Sequence, residues 1–182
     1  MLVLCGCTAS GKSTILNKLV NTYGYENIVT FTTRPKREGE EDDVDYHYIT
    51  NEYFDSLNEE GFFAETTSYD VANGETWKYG TARKDLKDDR IIILNPYGLK
   101  KLREDKTLNI TAVRLFASHG ETWNRLRSRG DSSDEAARRI EADKKDFEDI
   151  DEYVDLTIRT DSFWEIDKIA YLIDKFYSLR KE

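Results

Sequence analysis

The segment Gly6-Cys7-Thr8-Ala9-Ser10-Gly11-Lys12-Ser13 has the spacing GxxxxGK[ST], with the apolar run Leu2 to Cys5 before it and a helical pattern, Ser13 to Val20, after it. Strand, glycine-rich turn and helix start together are the context in which this spacing cradles phosphate. The glycines let backbone N–H groups converge on a β-phosphate, and the helix N-terminus adds partial positive charge. Lys12 brings a full charge to the β and γ phosphates, and the Ser13 hydroxyl can reach Mg²⁺. The expected donor set is therefore Gly6, Thr8, Ala9, Ser10, Gly11, Lys12, Ser13 and Thr14, with Ser13 as metal ligand and Mg²⁺ required.

A phosphate loop leaves the acceptor open. Thr30, Thr32, Thr33, Arg34 and Arg37 follow the second apolar stretch, so they fall at the carboxyl edge of a sheet, where open α/β folds bind ligands. Two arginines three residues apart, flanked by hydroxyls, can hold a phosphate dianion through charge-assisted hydrogen bonds. His47 and His119 are far apart in sequence and receive no metal or catalytic role.

The elements that must position these groups follow from the apolar pattern. Leu2 to Cys5, Ile28 to Phe31, Arg90 to Leu94, Ile110 to Phe116 and Val154 to Arg159 read as buried strands separated mostly by amphipathic segments. Such alternation implies a parallel sheet covered by helices on both faces. Ser118 with Glu121, Ser132 with Glu135 and Ser162 with Glu165 each fit a helix-opening capping box, and Asn95 followed by Pro96 fits another start. The last helix shows a core stripe in Phe163, Ile166, Ile169, Ala170, Ile173, Phe176 and Tyr177. From Thr33 to Thr81 the chain turns acidic and aromatic, with short strands such as Val44 to Ile49 and Gly61 to Thr66 around a helix near Asn51 to Asn58, as in an inserted lobe. Arg125 to Arg139, dense in Arg, Ser, Gly and Asp, suits a mobile flap.

Composition bounds the partners. The 182 residues fit a single domain with a sizeable core. A net charge of -9 and a pI near 4.9 argue against a broad nucleic-acid surface, so phosphate binding must be local. The longest clean apolar stretch, Ile91 to Leu94, is far short of the roughly 20 residues that span a bilayer. The opening MLVLCGC has neither a basic segment nor a long apolar region, unlike a signal peptide. Cys5 and Cys7 read as reduced thiols pointing the same way from one strand, which points to the cytoplasm.

Beyond the phosphate loop, the string TFTTRPKREGE followed by VDY resembles the guanylate kinase family, as do Gly61-Phe62-Phe63-Ala64-Glu65, Tyr79-Gly80-Thr81, and the RLRSRG run with Arg138-Arg139-Ile140. The resemblance covers nearly the whole chain in order. It implies an α/β fold: a P-loop NTPase-type core with a five-stranded parallel sheet, residues 1–31, 82–124 and 140–182. It adds an inserted NMP-binding lobe, 32–81, and a lid, 125–139, within one domain. It implies phosphoryl transfer from ATP to GMP or dGMP, with Arg34, Arg37, Tyr46 and Tyr79 on the acceptor phosphate and Thr30, Glu65 and Thr81 facing guanine. The chemistry agrees, because guanine offers N1–H and N2–H₂ side by side and an ionised carboxylate accepts both. Adenine presents a lone pair there, which a carboxylate would repel. Arg125, Arg129 and Arg139 resemble lid arginines that, with Lys12, neutralise the transferring phosphoryl group.

Two features depart from the family pattern. Members carry DxD at the end of the third core strand, whereas this chain reads Ile93-Leu94-Asn95-Pro96-Tyr97-Gly98. Asn95 is kept in the acceptor set, as both helix cap and pocket residue. The stretch Ser68 to Lys78 is also longer. These leave room for a kinase of another monophosphate, deoxy or modified. A guanylate-kinase-like protein-binding module without turnover remains as a different class, against which the intact Gly11-Lys12-Ser13 speaks.

Overall fold

The structure is a computed structural model describing residues 1–70, 74–161 and 165–180. In chain order the elements are β1 (Leu2–Gly6), α1 (Lys12–Tyr23), β2 (Glu26–Asn27), β3 (Phe31–Thr32), β4 (His47–Tyr48), α2 (Asn51–Glu59), β5 (Phe63–Asp70) and β6 (Thr76–Ala82). There follow β7 (Arg90–Ile93), α3 (Pro96–Glu104), β8 (Thr111–Phe116), α4 (His119–Ser128), α5 (Ser133–Asp146), β9 (Leu156–Arg159) and α6 (Ile166–Leu179).

The core sheet has five parallel strands in the order β2-β7-β1-β8-β9. β1 lies at its centre and every residue of it is buried, which is why it reads as an unbroken apolar run. Successive side chains alternate faces. Leu2 and Leu4 pack with Ile15 and Leu19 of α1 and Ile173 and Tyr177 of α6, while Val3 and Cys5 pack with Leu99 and Leu102 of α3 and with Phe147 and Ile150. Each such buried leucine or isoleucine contributes about 1.5–3 kcal/mol. Cys7 packs against the same cluster as Cys5, and both thiols are free.

A second sheet, β4-β3-β6-β5, carries the inserted segment. It rests on its own cluster of Phe54, Leu57 and Phe63, with Phe31, Ile49 and Phe62 packed against it. This corrects the reading of Ile28 to Phe31 as one core strand. The core sheet takes Glu26 and Asn27, and the Ile28 N–H still donates to Ile91 O at 2.8 Å. Three residues later Phe31 and Thr32 pair with Gly80 and Tyr79 in the other sheet. Ile28 and Phe31 are anchored in different cores, a distinction that hydrophobicity alone does not encode. Val44 to Ile49 likewise shrinks to His47 and Tyr48, because Glu41 to Asp45 form a turn closed by Asp45 N–H to Glu41 O at 3.0 Å. The Gly61 to Thr66 strand instead runs Phe63–Asp70, a long hairpin with β6.

Helix starts match the cap reading at Ser118, which accepts from Glu121 N, at Ser132, which accepts from Glu135 N, and at Asn95, whose Oδ1 accepts from Gly98 N at 2.7 Å with Pro96 at the first turn. Thr50 caps α2 in the same way. Ser162 and Phe163 lie outside the described residues, and Glu165, at the N-cap of α6, makes no side-chain cap bond. Within the stripe of α6, Ile169, Ala170, Ile173 and Tyr177 are buried, but Ile166 is 46% exposed. Among the described residues no helix is long and apolar enough to cross a membrane.

Candidate active site: a phosphate loop facing an acceptor lobe

Residues 7–11 link β1 to α1 and close on themselves through Ser10 N–H to Cys7 O at 3.2 Å. Gly6 admits no side chain, since a Cβ there would sit 2.1 Å from Leu115 O on the neighbouring strand. Lys12 lies over the loop and donates from Nζ to Gly6 O at 2.7 Å and Cys7 O at 2.8 Å. Burial lowers its pKa, and the nearby Asp143 carboxylate works against that shift. Asp143 of α5 reaches across to accept from the Thr8 N–H at 2.6 Å, and its own pKa is raised by burial. Ser13, in the first turn of α1, is exposed and its hydroxyl has no hydrogen-bond partner among the described residues.

A cavity of about 360 Å³ joins this loop to the inserted lobe, and Lys12, Thr30, Tyr46, Glu65, Tyr79 and Asn95 are among the residues around it. Glu65 is 7% exposed. Its Oε1 accepts from Thr81 Oγ1 at 2.5 Å, and burial raises its pKa. The approach of Glu65 to α3 depends on Gly98, where a Cβ would stand 3.0 Å from Glu65 Oε2. A register shift between Phe63 and Glu65 aims the two side chains differently, Phe63 into the lobe's apolar cluster and Glu65 into the cleft.

The two acceptor arginines are held differently. Arg34 is 4% exposed and forms a two-pronged pair with Glu40, at 3.0 and 2.8 Å, beneath the Tyr46 ring, whose centroid is 5.3 Å away. Glu40 also accepts from Arg37 N–H at 2.8 Å and from Tyr48 Oη at 2.7 Å, and chiefly through Arg34 its pKa falls to about 2. The Arg37 side chain is exposed. Tyr46 and Tyr79 meet edge to face at 6.0 Å.

The lid arginines also separate. Arg125, read as a mobile lid residue, is instead docked: it donates to Glu121 Oε1 at 2.8 Å, to Ala9 O at 3.0 Å and to Thr160 O. It borders a second cavity of about 250 Å³ together with Ala9, Gly11, Thr14, Arg129 and Thr160. Arg139 pairs with Glu135 at 2.8 Å and Asp131 at 3.5 Å. Arg129 lies exposed at the end of α4, and its side chain has no hydrogen bond or ion pair among the described residues.

Sequence reasoning missed Glu40, Asp143 and Thr160. Thr160 follows β9 and ties it to the loop through Oγ1–H to Ser10 O at 2.7 Å, so the rule that ligands gather beyond the carboxyl ends of parallel strands would have found it. Glu40 lay inside the quoted GE. Asp143 had no local signal, because its contact crosses 135 residues of sequence.

A five-stranded parallel sheet with a phosphate loop after its central strand, facing an inserted acceptor lobe, defines the P-loop nucleoside monophosphate kinases as a class. The family model for guanylate kinase matches residues 1–175. The chain is 32% identical to a guanylate kinase of Aliivibrio fischeri over 90% of this chain and 81% of that one, and 32% identical to a guanylate kinase of Sulfurimonas denitrificans over 95% and 85%. The fold is similar to the crystal structure of guanylate kinase from Anaplasma phagocytophilum, with TM-score 0.72 and 23% identity over 98% of this chain and 84% of that one. It is also similar to the YorR protein of Bacillus subtilis in complex with phosphorylated GDP, with TM-score 0.54 and 19% identity over 100% and 98%. The chain belongs to the guanylate kinase family, and it is a phosphotransferase acting on nucleoside monophosphates.

Proposed function

We propose that this chain phosphorylates GMP or dGMP with ATP, in a single domain of core, acceptor lobe (32–81) and lid (125–139), in the cytoplasm. The observation that carries the reading is the shared cavity, which brings the Lys12 ammonium and the Glu65 carboxylate to one space. Phosphoryl transfer is mostly positioning and charge neutralisation, so a donor cradle and an acceptor site that converge are the main requirement. An intact phosphate loop opposite Glu65 favours turnover over a module that only binds protein.

The donor phosphates lie along the loop from Gly6 to Ser13, with Thr14 beside them. Lys12 gives up its contacts to Gly6 O and Cys7 O to meet the β and γ oxygens. The second cavity takes the adenosine, walled by the fixed guanidinium of Arg125 and by Thr160. The free hydroxyl of Ser13 suits Mg²⁺, a hard cation that takes few protein ligands and fills its shell with phosphate oxygens and water. Held there by Ser13, Mg²⁺ would neutralise charge on the β and γ phosphates. On the acceptor side Arg34, Arg37, Tyr46 and Tyr79 hold the monophosphate, and Thr30, Glu65 and Thr81 face the base. Arg129 and Arg139 then approach the transferring group as the segment beyond Arg125 closes, with Arg125 itself staying docked.

ADP release measured against a panel of ribo- and deoxyribonucleoside monophosphates tests this directly. GMP and dGMP are expected to lead the panel. No turnover with any monophosphate would return the chain to a binding role, and a lead by a different base would overturn the guanine reading.

A further inference from the structure

Both ends of the Asn95 amide already have partners within the protein. Its Oδ1 is committed to the N–H of Gly98 at 2.7 Å, as the cap of α3, and that bond fixes which way the amide faces. Nδ2 is thereby turned to the cleft, where it donates to Tyr69 Oη at 2.6 Å. An amide N–H₂ only donates, so Tyr69 must be the acceptor in this bond, and its own hydroxyl proton is left unused. An Asp in the same place would cap the helix as well but would take that proton for itself.

Tyr69 stands where such a proton is useful. Glu65, Thr67 and Tyr69 occupy alternate positions of β5, opposite Thr81, Tyr79 and Trp77 of β6, so they share one face. All three border the cleft that holds Lys12 and Tyr79, and the Tyr69 ring meets that of Tyr79 at 5.8 Å. Tyr69 is 40% exposed, yet desolvation pushes its pKa up to about 12. The group therefore stays protonated throughout the neutral range.

We infer that Tyr69 is a further specificity-determining residue of the acceptor site, donating its hydroxyl proton to a lone pair of the bound nucleoside, and that Asn95 is the positioning residue that turns the proton outward. This rests on the acceptor reading of the cleft given above. The lone pair belongs either to the base or to the sugar 2′-oxygen, and dGMP separates the two. The long hairpin of β5 and β6 is what brings the tyrosine there.

The experiment is calorimetric affinity for GMP and dGMP, with steady-state kinetics, in Tyr69→Phe, Asn95→Asp and the double variant, each checked for an unchanged melting curve. Loss of one neutral hydrogen bond should weaken GMP about 3- to 10-fold, in affinity and in acceptor KM, with the KM for ATP unchanged. Asn95→Asp should do the same on the wild-type background and nothing further on Tyr69→Phe. If dGMP already binds wild type as weakly as GMP binds Tyr69→Phe, and is indifferent to the variants, the sugar carries the contact; equal losses for both place it on the base. Wild-type affinity in Tyr69→Phe would overturn the inference, as would an undiminished effect of Asn95→Asp in the double variant, which would mean that residue 95 touches the nucleotide itself. Affinity tests this contact even without turnover, whereas absent turnover in wild type counts against the proposed function.

Discussion

The carboxylate of Asp143 sits on the phosphate loop, accepting the Thr8 N–H at 2.6 Å. It also faces the Lys12 ammonium closely enough to raise that group's pKa against the effect of burial. On the proposed donor assignment, incoming ATP competes with this carboxylate for Thr8 N–H and Lys12.

Asp143→Asn keeps the size of the side chain and removes the charge. Affinity for ATP should rise about 10-fold or more, the scale of one charge-assisted contact (about 1.5–3 kcal/mol) no longer in competition. Calorimetric titration of ATP reads this directly. Unchanged or weaker binding would show that Asp143 supports the loop rather than competing for it.

The three lid arginines should divide in kinetics as they do in geometry. The Arg129 side chain has no partner among the described residues, and Arg139 is held only by pairs at a half-exposed surface, worth about 0–1 kcal/mol, so both can be redirected. Arg129→Ala and Arg139→Ala are expected to lower kcat far more than they raise the acceptor KM, by about 1,000-fold for whichever meets the transferring group. Arg125→Ala removes bonds to Ala9 O and Thr160 O, so it should raise the KM for ATP and lower Tm. Steady-state kinetics on the three variants decide it. A pure kcat effect at Arg125 would return it to the moving set.

Much of this was legible in sequence, and the reasons differ by element. β1, β7 and β8 are apolar because both faces of the sheet are covered, and the phosphate loop is a local motif whose spacing is its geometry. Serine and asparagine caps are local too. What escaped was non-local: whether Phe31 joins the core sheet or the lobe, whether Arg125 swings or docks, and the meeting of Asp143 with Thr8. Asn95 illustrates the boundary well. Its role as a cap follows from Pro96 beside it, but its bond to Tyr69 depends on how far the hairpin of β5 and β6 extends.

Glu40 is the keystone of the acceptor arginines. It receives both prongs of the buried Arg34 together with Arg37 N–H and Tyr48 Oη. Glu40→Ala leaves the nearly buried Arg34 charged with only the Pro35 carbonyl to accept from it and no counter-charge, a loss of about 3 kcal/mol. Chemical denaturation should register it alongside a raised KM for GMP. The Glu40 pKa is depressed from 4.5 to about 2, so this stabilisation is present above pH 4.5 and is lost as pH falls toward 2. Equal acid sensitivity in wild type and Glu40→Ala over that interval would refute the assignment.

Glu65 combines base choice with a pH dependence. It must be ionised to accept both N1–H and N2–H₂ of guanine, yet burial raises its pKa above the ordinary 4.5. A raised carboxyl pKa means that acidification protonates Glu65 sooner than an exposed glutamate. The kcat/KM for GMP should therefore begin to fall, on lowering the pH, at a value above 4.5. Glu65→Gln keeps the shape but sets an amide N–H₂ against a guanine donor, leaving groups unpaired at roughly 1–3 kcal/mol each. GMP turnover should drop by one to two orders of magnitude or more, AMP should suffer less, and the acid limb should flatten because the titrating group is gone. The decisive quantity is the GMP-to-AMP ratio of kcat/KM, followed against pH in wild type and variant. A ratio that neither the substitution nor acidification changes would mean that the base is read by Thr30 and Thr81, with Glu65 serving only to anchor the Thr81 hydroxyl.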